Sequence, residues 1–219
     1  MTALLSQGAR APLSDRGRRT RERLVIAARE VFEDRGFDAT RMSDIARAAG
    51  VSHGTVYTWF ATKEDVLHGT VDSVTEQMYE VLSTPEATDP IERIALANAR
   101  YLEVHRKTSR LMEVVAQAAV DDESFRAVLT KLRHAHVDRV AKTISKLQRD
   151  GLAVPTLDPQ ISAAALCAMV EGFARHWLST DSVTRERVAD EQLTSDAPAI
   201  VTLTELWARA LGLIEPGGS

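Results

Sequence analysis

The stretch TRMSDIARAAGVSHGTVYTWFATKEDVL, residues 40–67, decides the fold at the front of this chain. Within it, two short segments of helical character lie on either side of Gly50-Val51-Ser52. Glycine tolerates the positive φ that a tight interhelical turn requires, and serine is a preferred N-cap residue. The second segment starts with small polar residues through Thr55, which leaves backbone N–H groups open to phosphates and base edges. The stretch therefore predicts a helix-turn-helix whose second helix can meet DNA.

The neighbouring residues predict further helices packed around this motif. Apolar side chains recur at spacings of three and four from Leu24 to Phe32, in a helix that Gly36 ends. Thr40 is predicted to cap the following helix. Thr62 and the residue three positions later, Asp65, form a capping-box-like start for a fourth helix. These signals predict a small helical domain over residues 18–68.

The same residues resemble a known family. The motif at residues 40–67 and the preceding segment VFEDRGF, residues 31–37, are similar to the DNA-binding segment of the TetR family of transcriptional regulators. The resemblance covers residues 18–68. It implies a homodimer with an N-terminal DNA-binding domain and a C-terminal helical domain for ligand binding and dimerisation. It also implies binding to a palindromic double-stranded operator, and repression relieved by a small molecule.

The resemblance further implies which side chains meet DNA. Tyr57 and Lys63 would hold the backbone, and the small residues at the start of the third helix would lie at bases or nearby phosphates. The implied set is Thr40, Arg41, Ser52, His53, Gly54, Thr55, Tyr57, Trp59 and Lys63. Trp59 and Ala61 depart from the commoner family pattern, so the base preference stays open.

Charge is unevenly distributed along the chain. Residues 1–70 carry 11 Lys/Arg and 9 Asp/Glu, a net of +2, whereas residues 71–219 carry 16 and 22, a net of −6. Six arginines lie within residues 10–23. We interpret residues 1–17 as a flexible basic arm. The arm either enters the DNA minor groove or remains a solvated tail.

The composition excludes several classes of protein. The 219 residues are 44% apolar and 26% charged, as in an ordinary globular protein. No apolar run approaches the roughly 18 residues of a membrane span, and the start MTALLSQGAR lacks the features of a signal peptide. The single cysteine, Cys167, cannot form an internal disulfide and fits a reducing compartment. We expect a cytoplasmic protein.

The rest of the chain also predicts helices and no strands. Asp89-Pro90 and Asp158-Pro159 are N-cap and proline pairs, Asp121-Asp122 opens another helix, and Gly151 ends it. No alternating apolar pattern of useful length appears, so the predicted fold is all-α. The predicted further helices run from about residue 90 to 106, 109 to 120, 122 to 150, 158 to 180 and 198 to 213, with a loop at 181–197. We assign residues 69–219 to a helical ligand-binding and dimerisation domain.

The helix after Asp158 has two apolar stripes, which predicts that one packs on its own domain and the other on a partner subunit. One stripe is bulky and suits the core of its own domain, with Leu166, Val170, Phe173 and Trp177. The other is mostly small and would allow close approach of a partner subunit, with Ile161, Ala164, Ala168 and Gly172. In the last helix a recurring apolar face is also predicted at the dimer interface, with Ile200, Leu203, Trp207 and Leu211.

Aromatic, methionine and histidine side chains in the body could line an effector cavity, although ordinary core packing is the favoured explanation for any one of them. The candidates for ligand binding are Tyr101, His105, Met112, Phe125, His136, Met169, Phe173 and Trp177. They suggest an apolar or aromatic effector touched by one or two polar groups.

Nothing in the sequence favours catalysis, a metal site or a cofactor. His134 and His136 are two apart and do not share a helix face as zinc ligands would. Cys167 lies among alanines, as a buried small apolar residue does. Two alternatives stay open, a helical small-molecule-binding protein with no operator and a helical enzyme that uses a buried histidine.

Overall fold

The computed structural model describes residues 15–82, 87–178 and 195–214, with the backbone alone for residues 78–82. Every regular element in these ranges is an α-helix, which confirms the all-α prediction. The described helices are α1 (Asp15–Ala39), α2 (Met42–Ala48), α3 (His53–Trp59), α4 (Lys63–Leu82), α5 (Pro90–Asp121), α6 (Glu123–Arg149), α7 (Pro159–Trp177) and α8 (Ala197–Ala210). Most of the loop predicted at 181–197 lies outside the described residues.

The chain forms two compact units. The first unit comprises residues 1–80 and 108–130, and the second comprises residues 81–107 and 131–219. Helices α5 and α6 each contribute one part to each unit. Two continuous helices are therefore shared between the units.

Helix α1 starts earlier than the sequence predicts. It begins at Asp15, so the last residues of the predicted arm are helical and the remainder of the arm lies outside the described residues. The Asp15 carboxylate pairs with the Arg18 guanidinium and lies near the positive end of the helix dipole. An acidic residue at the N-terminus of α1 thus favours helix where the sequence analysis placed a tail.

The junction of α1 and α2 differs from the prediction by one residue. Gly36 interrupts α1 with a φ of 75°, as its predicted role at the helix end requires. Thr40 is not the N-cap of α2, because its side chain is buried and its hydroxyl donates to the Gly36 carbonyl at 2.7 Å. The N-cap is Arg41, whose backbone N–H donates to the Asp44 carboxylate at 3.2 Å.

The other two predicted helix starts in this region are confirmed. The Ser52 hydroxyl accepts from the Thr55 backbone N–H at 3.2 Å and caps α3. At α4, the Thr62 N–H donates to the Asp65 carboxylate and the Asp65 N–H donates to the Thr62 hydroxyl, both at 3.1 Å. These reciprocal bonds form the capping box.

Helix α5 is continuous from Pro90 to Asp121, and the predicted break near residue 107 is wrong. The polar residues there suggested a boundary, but no glycine or proline interrupts the helix. Val104, Thr108 and Leu111 continue one buried face through the predicted break. Buried packing therefore overrides the weak local signal of two hydroxyl residues.

The remaining helix ends follow their predicted caps more closely. Asp158 caps α7 by accepting from the Ile161 N–H at 2.8 Å, and Gly151 follows α6 with a φ of 71°. Helix α7 ends at Trp177 rather than near residue 180. Helix α8 ends at Ala210, before Gly212 with its φ of 68°.

The two faces of α7 separate as predicted, whereas the face of α8 assigned to the dimer packs largely within its own unit. The bulky α7 stripe packs into the second unit, and the small stripe is open, with Ile161 72% exposed. In α8, Leu203 and Leu211 are buried within their own unit and Ile200 and Trp207 are partly buried there, so a dimer contact of this face stays a prediction. The exposed apolar residues of α8 are Val201 and Leu206.

Candidate functional site

The outward face of α3 is small and polar, while its inward face is locked into the core. Val56 and Phe60 are fully buried, as the sequence predicts. His53 and Gly54 are exposed, and Tyr57 is 49% exposed. Burial on one side thus fixes the orientation of the exposed side chains on the other.

Local contacts order this outward face. The Ser52 and Thr55 hydroxyls lie 2.8 Å apart, so both hydroxyls already take part in the N-cap. The His53 and Tyr57 rings meet edge to face with centroids 5.0 Å apart. Trp59 is only partly exposed. The exposed imidazole, phenol and helix N-terminus suit phosphate and base contacts.

The turn before α3 is held by α1. Gly50 has a φ of 62°, and the Arg23 guanidinium donates to the Ala49 carbonyl at 2.6 Å. The Arg21 guanidinium lies 5.5 Å from the Phe60 ring centroid. Two of the six arginines near the N-terminus thus contact the helix-turn-helix itself. Charge density alone indicated a polyanionic partner and did not reveal these internal contacts.

Lys63, predicted to hold the DNA backbone, makes contacts within the protein. Its ammonium donates to the Phe37 carbonyl at 2.7 Å and lies 4.2 Å from the centroid of the Phe37 ring. These contacts satisfy the C-terminal end of α1, where carbonyls lack helical partners. The phosphate contact of Lys63 stays a prediction.

Helix α2 and its N-cap expose two arginines, Arg41 and Arg47, of which only Arg41 was among the predicted DNA contacts. Asp44 is buried and accepts from the Arg47 guanidinium, with the Arg35 guanidinium at 3.4 Å. The Arg47 side chain is nevertheless 72% exposed, and Arg41 is exposed at the N-cap. An Arg three residues after a helix-start Asp was the sequence signal for this pair.

The second unit contains a cavity of about 290 Å³. Its wall comes from α5, α6, α7 and α8, and it includes two of the predicted ligand residues, Tyr101 and His136. Their rings stack with centroids 5.8 Å apart. The sequence analysis did not anticipate Arg93, Arg100 or Arg139, which also line the cavity.

The other predicted ligand residues lie outside this cavity wall. Met112 and Phe125 belong to the first unit, where Phe125 is fully buried and stacks on His68 with centroids 4.1 Å apart. His105 stacks behind Tyr101 at 6.1 Å. Core packing or ring stacking involves His105, Phe125, Met169, Phe173 and Trp177, and a ligand contact of these residues or of Met112 stays a prediction.

Trp177 and the lining tryptophan Trp207 differ in their hydrogen bonding. Trp177 stacks on Phe173 and its indole N–H donates to the Asp196 carboxylate at 3.2 Å. The Trp207 indole nitrogen is buried and has no hydrogen-bond partner among the described residues. A buried donor without an acceptor is costly. The Trp207 indole N–H in the cavity wall therefore lacks a hydrogen-bond acceptor among the described residues.

The protonation states in the cavity follow from burial. Burial and the nearby Glu171 carboxylate raise the pKa of the Tyr101 hydroxyl well above its usual value. Burial and the Arg139 guanidinium lower the pKa of His136. Arg139 can only donate, so its 3.3 Å contact with His136 Nδ1 leaves the imidazole proton on Nε2. Tyr101 and neutral His136 therefore both keep a proton to donate.

The arrangement offers little for catalysis. Burial raises the pKa of Cys167 to about 11, so its thiol is a poor nucleophile at neutral pH. Among the described residues, no group of His, Cys, Asp and Glu is placed to hold a metal ion. No helix within the described ranges is long and apolar enough to cross a membrane.

Comparison with known proteins places this geometry in a family. Residues 24–70 match the bacterial regulatory proteins of the tetR family, and residues 87–210 match the C-terminal domain of BetI-type transcriptional repressors. The second match covers more than half of the chain. The chain therefore belongs to the TetR family, and it is a DNA-binding transcriptional regulator rather than an enzyme.

Individual relatives agree with this assignment. The chain is 25% identical to the regulator TtgR of Pseudomonas putida over 168 residues, which cover 73% of this chain and 80% of TtgR. It is 31% identical to the activator FasR of Mycolicibacterium smegmatis over 180 residues, 80% of this chain and 78% of FasR. A crystal structure of a TetR-family regulator from Mesorhizobium loti superposes with a TM-score of 0.70 and 23% identity, covering 90% and 98% of the two chains.

Proposed function

We propose that this protein is a cytoplasmic homodimeric repressor that binds a two-fold-symmetric operator and releases it when a small molecule enters the cavity of the second unit. The observation that carries the proposal is the exposed polar face of α3, held outward by the buried Val56 and Phe60. The free N-terminus of such a helix suits entry into the major groove. Two copies would have to sit about 34–36 Å apart to reach successive grooves.

Two contacts of Phe125 support a route from the cavity to α3. Helix α6 carries His136 at the cavity and Phe125 in the first unit. Phe125 packs on His68 of α4 and lies 6.0 Å, centroid to centroid, from Phe37 near the end of α1. A ligand that favours one position of α6 would thereby shift α4 and the recognition helices. The shift can only be as large as the ligand's differential affinity for the two states.

The DNA-contacting residues are proposed to be those that α3 exposes, with Arg41 and Arg47 beside them. His53, Gly54 and Tyr57 form the centre of this surface. Thr40 is buried and the Lys63 ammonium donates to the Phe37 carbonyl, so neither is proposed as a main DNA contact.

Titration of the full chain with fragments tiling the DNA upstream of its own gene tests operator binding. Tyr57→Phe removes one hydroxyl without disturbing the core, and we expect about three- to tenfold weaker binding by fluorescence anisotropy. Tyr101→Phe is the matched control, because it lies in the second unit and should leave DNA binding intact. Equal affinity of both variants and the parent would remove α3 from the interface.

The small-residue stripe of α7, with Ala164 and Ala168 exposed and Gly172 partly exposed, supports the proposal of a dimer. A Cβ added to Gly172 would meet nothing within 4 Å in the single chain, so its own subunit tolerates a larger side chain there. We expect Gly172→Leu to fold normally and to weaken dimerisation at least tenfold, since overpacking costs roughly 1–3 kcal/mol and a two-fold interface meets it twice. Gly172→Ala is the graded control. Analytical ultracentrifugation decides, and an unchanged dimer in Gly172→Leu would place the interface elsewhere.

A further inference from the structure

Cations dominate the polar part of the cavity wall. Arg93, Arg100 and Arg139 line it, and no aspartate or glutamate among the described residues does. Arginine has a fixed fork of donors that matches carboxylate oxygens, and it stays charged at any physiological pH. Three such groups around a small cavity create a site where a cation is repelled and an anion is attracted.

One acidic group that acts on the wall residue Tyr101 is engaged outside the wall. The Glu171 carboxylate lies 3.1 Å from the Arg175 guanidinium and 3.6 Å from that of Arg133, and none of these three residues lines the cavity. The Arg139 guanidinium also contacts the neutral His136 imidazole. Among the described residues, the wall therefore contributes guanidinium groups and no carboxylate.

Three of the uncharged polar groups of the wall, Trp207, Tyr101 and His136, can donate as well. The buried Trp207 N–H has no acceptor among the described residues, and tryptophan can only donate. Tyr101 keeps its hydroxyl proton, and His136 keeps a proton on Nε2, for the reasons given above. A ligand with several acceptor oxygens would satisfy these donors.

The remaining wall is apolar, with Ile144, Leu147, Val170 and Leu211 among its residues. A volume of about 290 Å³ lies at the lower end of the range for ligand pockets, roughly 300–1,000 Å³. A cavity of this volume suits a compact ligand rather than a large conjugate.

We propose that the effector is a small carboxylic acid with an apolar or aromatic tail, its carboxylate held by the arginines and its tail packed against the aliphatic wall. This inference rests on the proposed function, because it names the class of molecule that this regulator senses. It narrows the apolar effector expected from the sequence to an amphipathic anion.

Three probes that share a phenylbutyl group and differ in the charge of the head group separate the effect of ligand charge from that of ligand shape. The full-length protein is titrated by isothermal calorimetry with 4-phenylbutyrate, 4-phenylbutanol and 4-phenylbutylamine, and decanoate serves as a second, aliphatic acid. We expect at least one acid to bind at least tenfold more tightly than the alcohol, and the amine to bind most weakly. Equal or tighter binding of the amine overturns the proposal, as does the absence of saturable binding by both acids at millimolar concentrations.

Substitutions of single arginines then test which guanidinium groups bind the carboxylate of the acid. Arg100→Met should weaken binding of the acid at least tenfold and change binding of the alcohol less than threefold. Arg93→Met, about two turns away from Arg100 on the same helix, provides the same test if the first variant does not fold. Arg149→Met, at an exposed position of the same helix as Arg139 but outside the wall, is the control and should bind the acid like the parent. Loss of acid affinity in the control alone, or in none of the variants, contradicts the assignment.

The indole donor gives an independent readout. Trp207→Phe keeps the aromatic ring but removes the N–H, and we expect several-fold weaker acid binding together with loss of the ligand-induced change in tryptophan fluorescence. Operator binding without ligand is measured in parallel. Failure of operator binding with intact acid binding refutes the regulator proposal alone, and intact operator binding with no acid binding refutes the effector proposal alone.

Discussion

The outward face of α3 and the cavity of the second unit each present side chains to a ligand, but the chain builds them differently. Helix α3 takes its exposed residues from one short segment between Ser52 and Phe60. The cavity takes its wall from four helices, with lining residues from Pro90 to Leu211. A surface read from one helix needs only local periodicity to be recognised, whereas a buried wall needs the packing of distant segments.

The two regions also treat charge in opposite ways. Around the helix-turn-helix, Arg21, Arg23 and Lys63 contact the protein's own rings and carbonyls. In the cavity, arginines line an internal space to which no acidic residue of the described ranges contributes. The position of a cation in the sequence therefore does not reveal its role. A basic cluster near a DNA-binding motif can be structural, and isolated arginines in a helical body can form a binding site.

The largest expected effect concerns Phe125, which the sequence analysis assigned to the effector. The structure places it in the core of the first unit, fully buried against His68 and Phe37. Phe125→Ala should lower the free energy of unfolding by about 3–5 kcal/mol, as measured by urea denaturation. Val120→Ala, at a position 73% exposed, should change it by less than about 0.5 kcal/mol. Full stability of Phe125→Ala with loss of effector binding would return Phe125 to the ligand site.

A second prediction separates the two roles of cations near α3. Lys63→Met should lower the free energy of unfolding by about 1–3 kcal/mol, because the Phe37 carbonyl loses a charged donor. It should leave the slope of log Kobs against log salt unchanged. Arg41→Met should change stability little and reduce the magnitude of that slope by about 0.9, the value for one phosphate contact. A reduced slope in Lys63→Met would show that its ammonium turns to the DNA.

The smallest expected effect is a pH dependence from the cavity. His136 faces Arg139 on its own helix, Tyr101 on α5 and Glu171 on α7. Since burial lowers the pKa of His136, the unfolded chain binds a proton that the folded chain refuses. The associated stability is present above about pH 6.5 and is lost as the pH falls toward the folded pKa.

His136→Gln removes this titration and should flatten the pH dependence of the free energy of unfolding. The difference in slope between parent and variant is bounded by about 1.4 kcal/mol per pH unit, the value for one proton. Urea denaturation at pH 7.5, 6.5 and 5.5 measures it. Parallel curves for parent and variant would mean that His136 titrates normally in the folded protein.

The sequence alone determined the helix-turn-helix and most helix ends. Gly50, Ser52 and the Thr62–Asp65 pair act through contacts within a few residues, so their roles can be recognised without knowledge of distant neighbours. The inward direction of Val56 and Phe60 likewise follows from helical periodicity, because one face of a short helix must be buried. The bulky stripe of α7 was predictable for the same reason.

Only the tertiary structure decided which side chains serve a ligand and which serve the core. Phe125 and Tyr101 are both aromatic residues of long amphipathic helices, yet one is buried in the first unit and the other lines the cavity of the second. The division of α5 and α6 between two units has no local signal, since it depends on what packs beside each half. The direction of Lys63 and the convergence of Arg93, Arg100 and Arg139 likewise arise from segments far apart in the chain. Helical spacing defines a face, but only the neighbouring helices determine whether that face meets a core, a cavity or a partner.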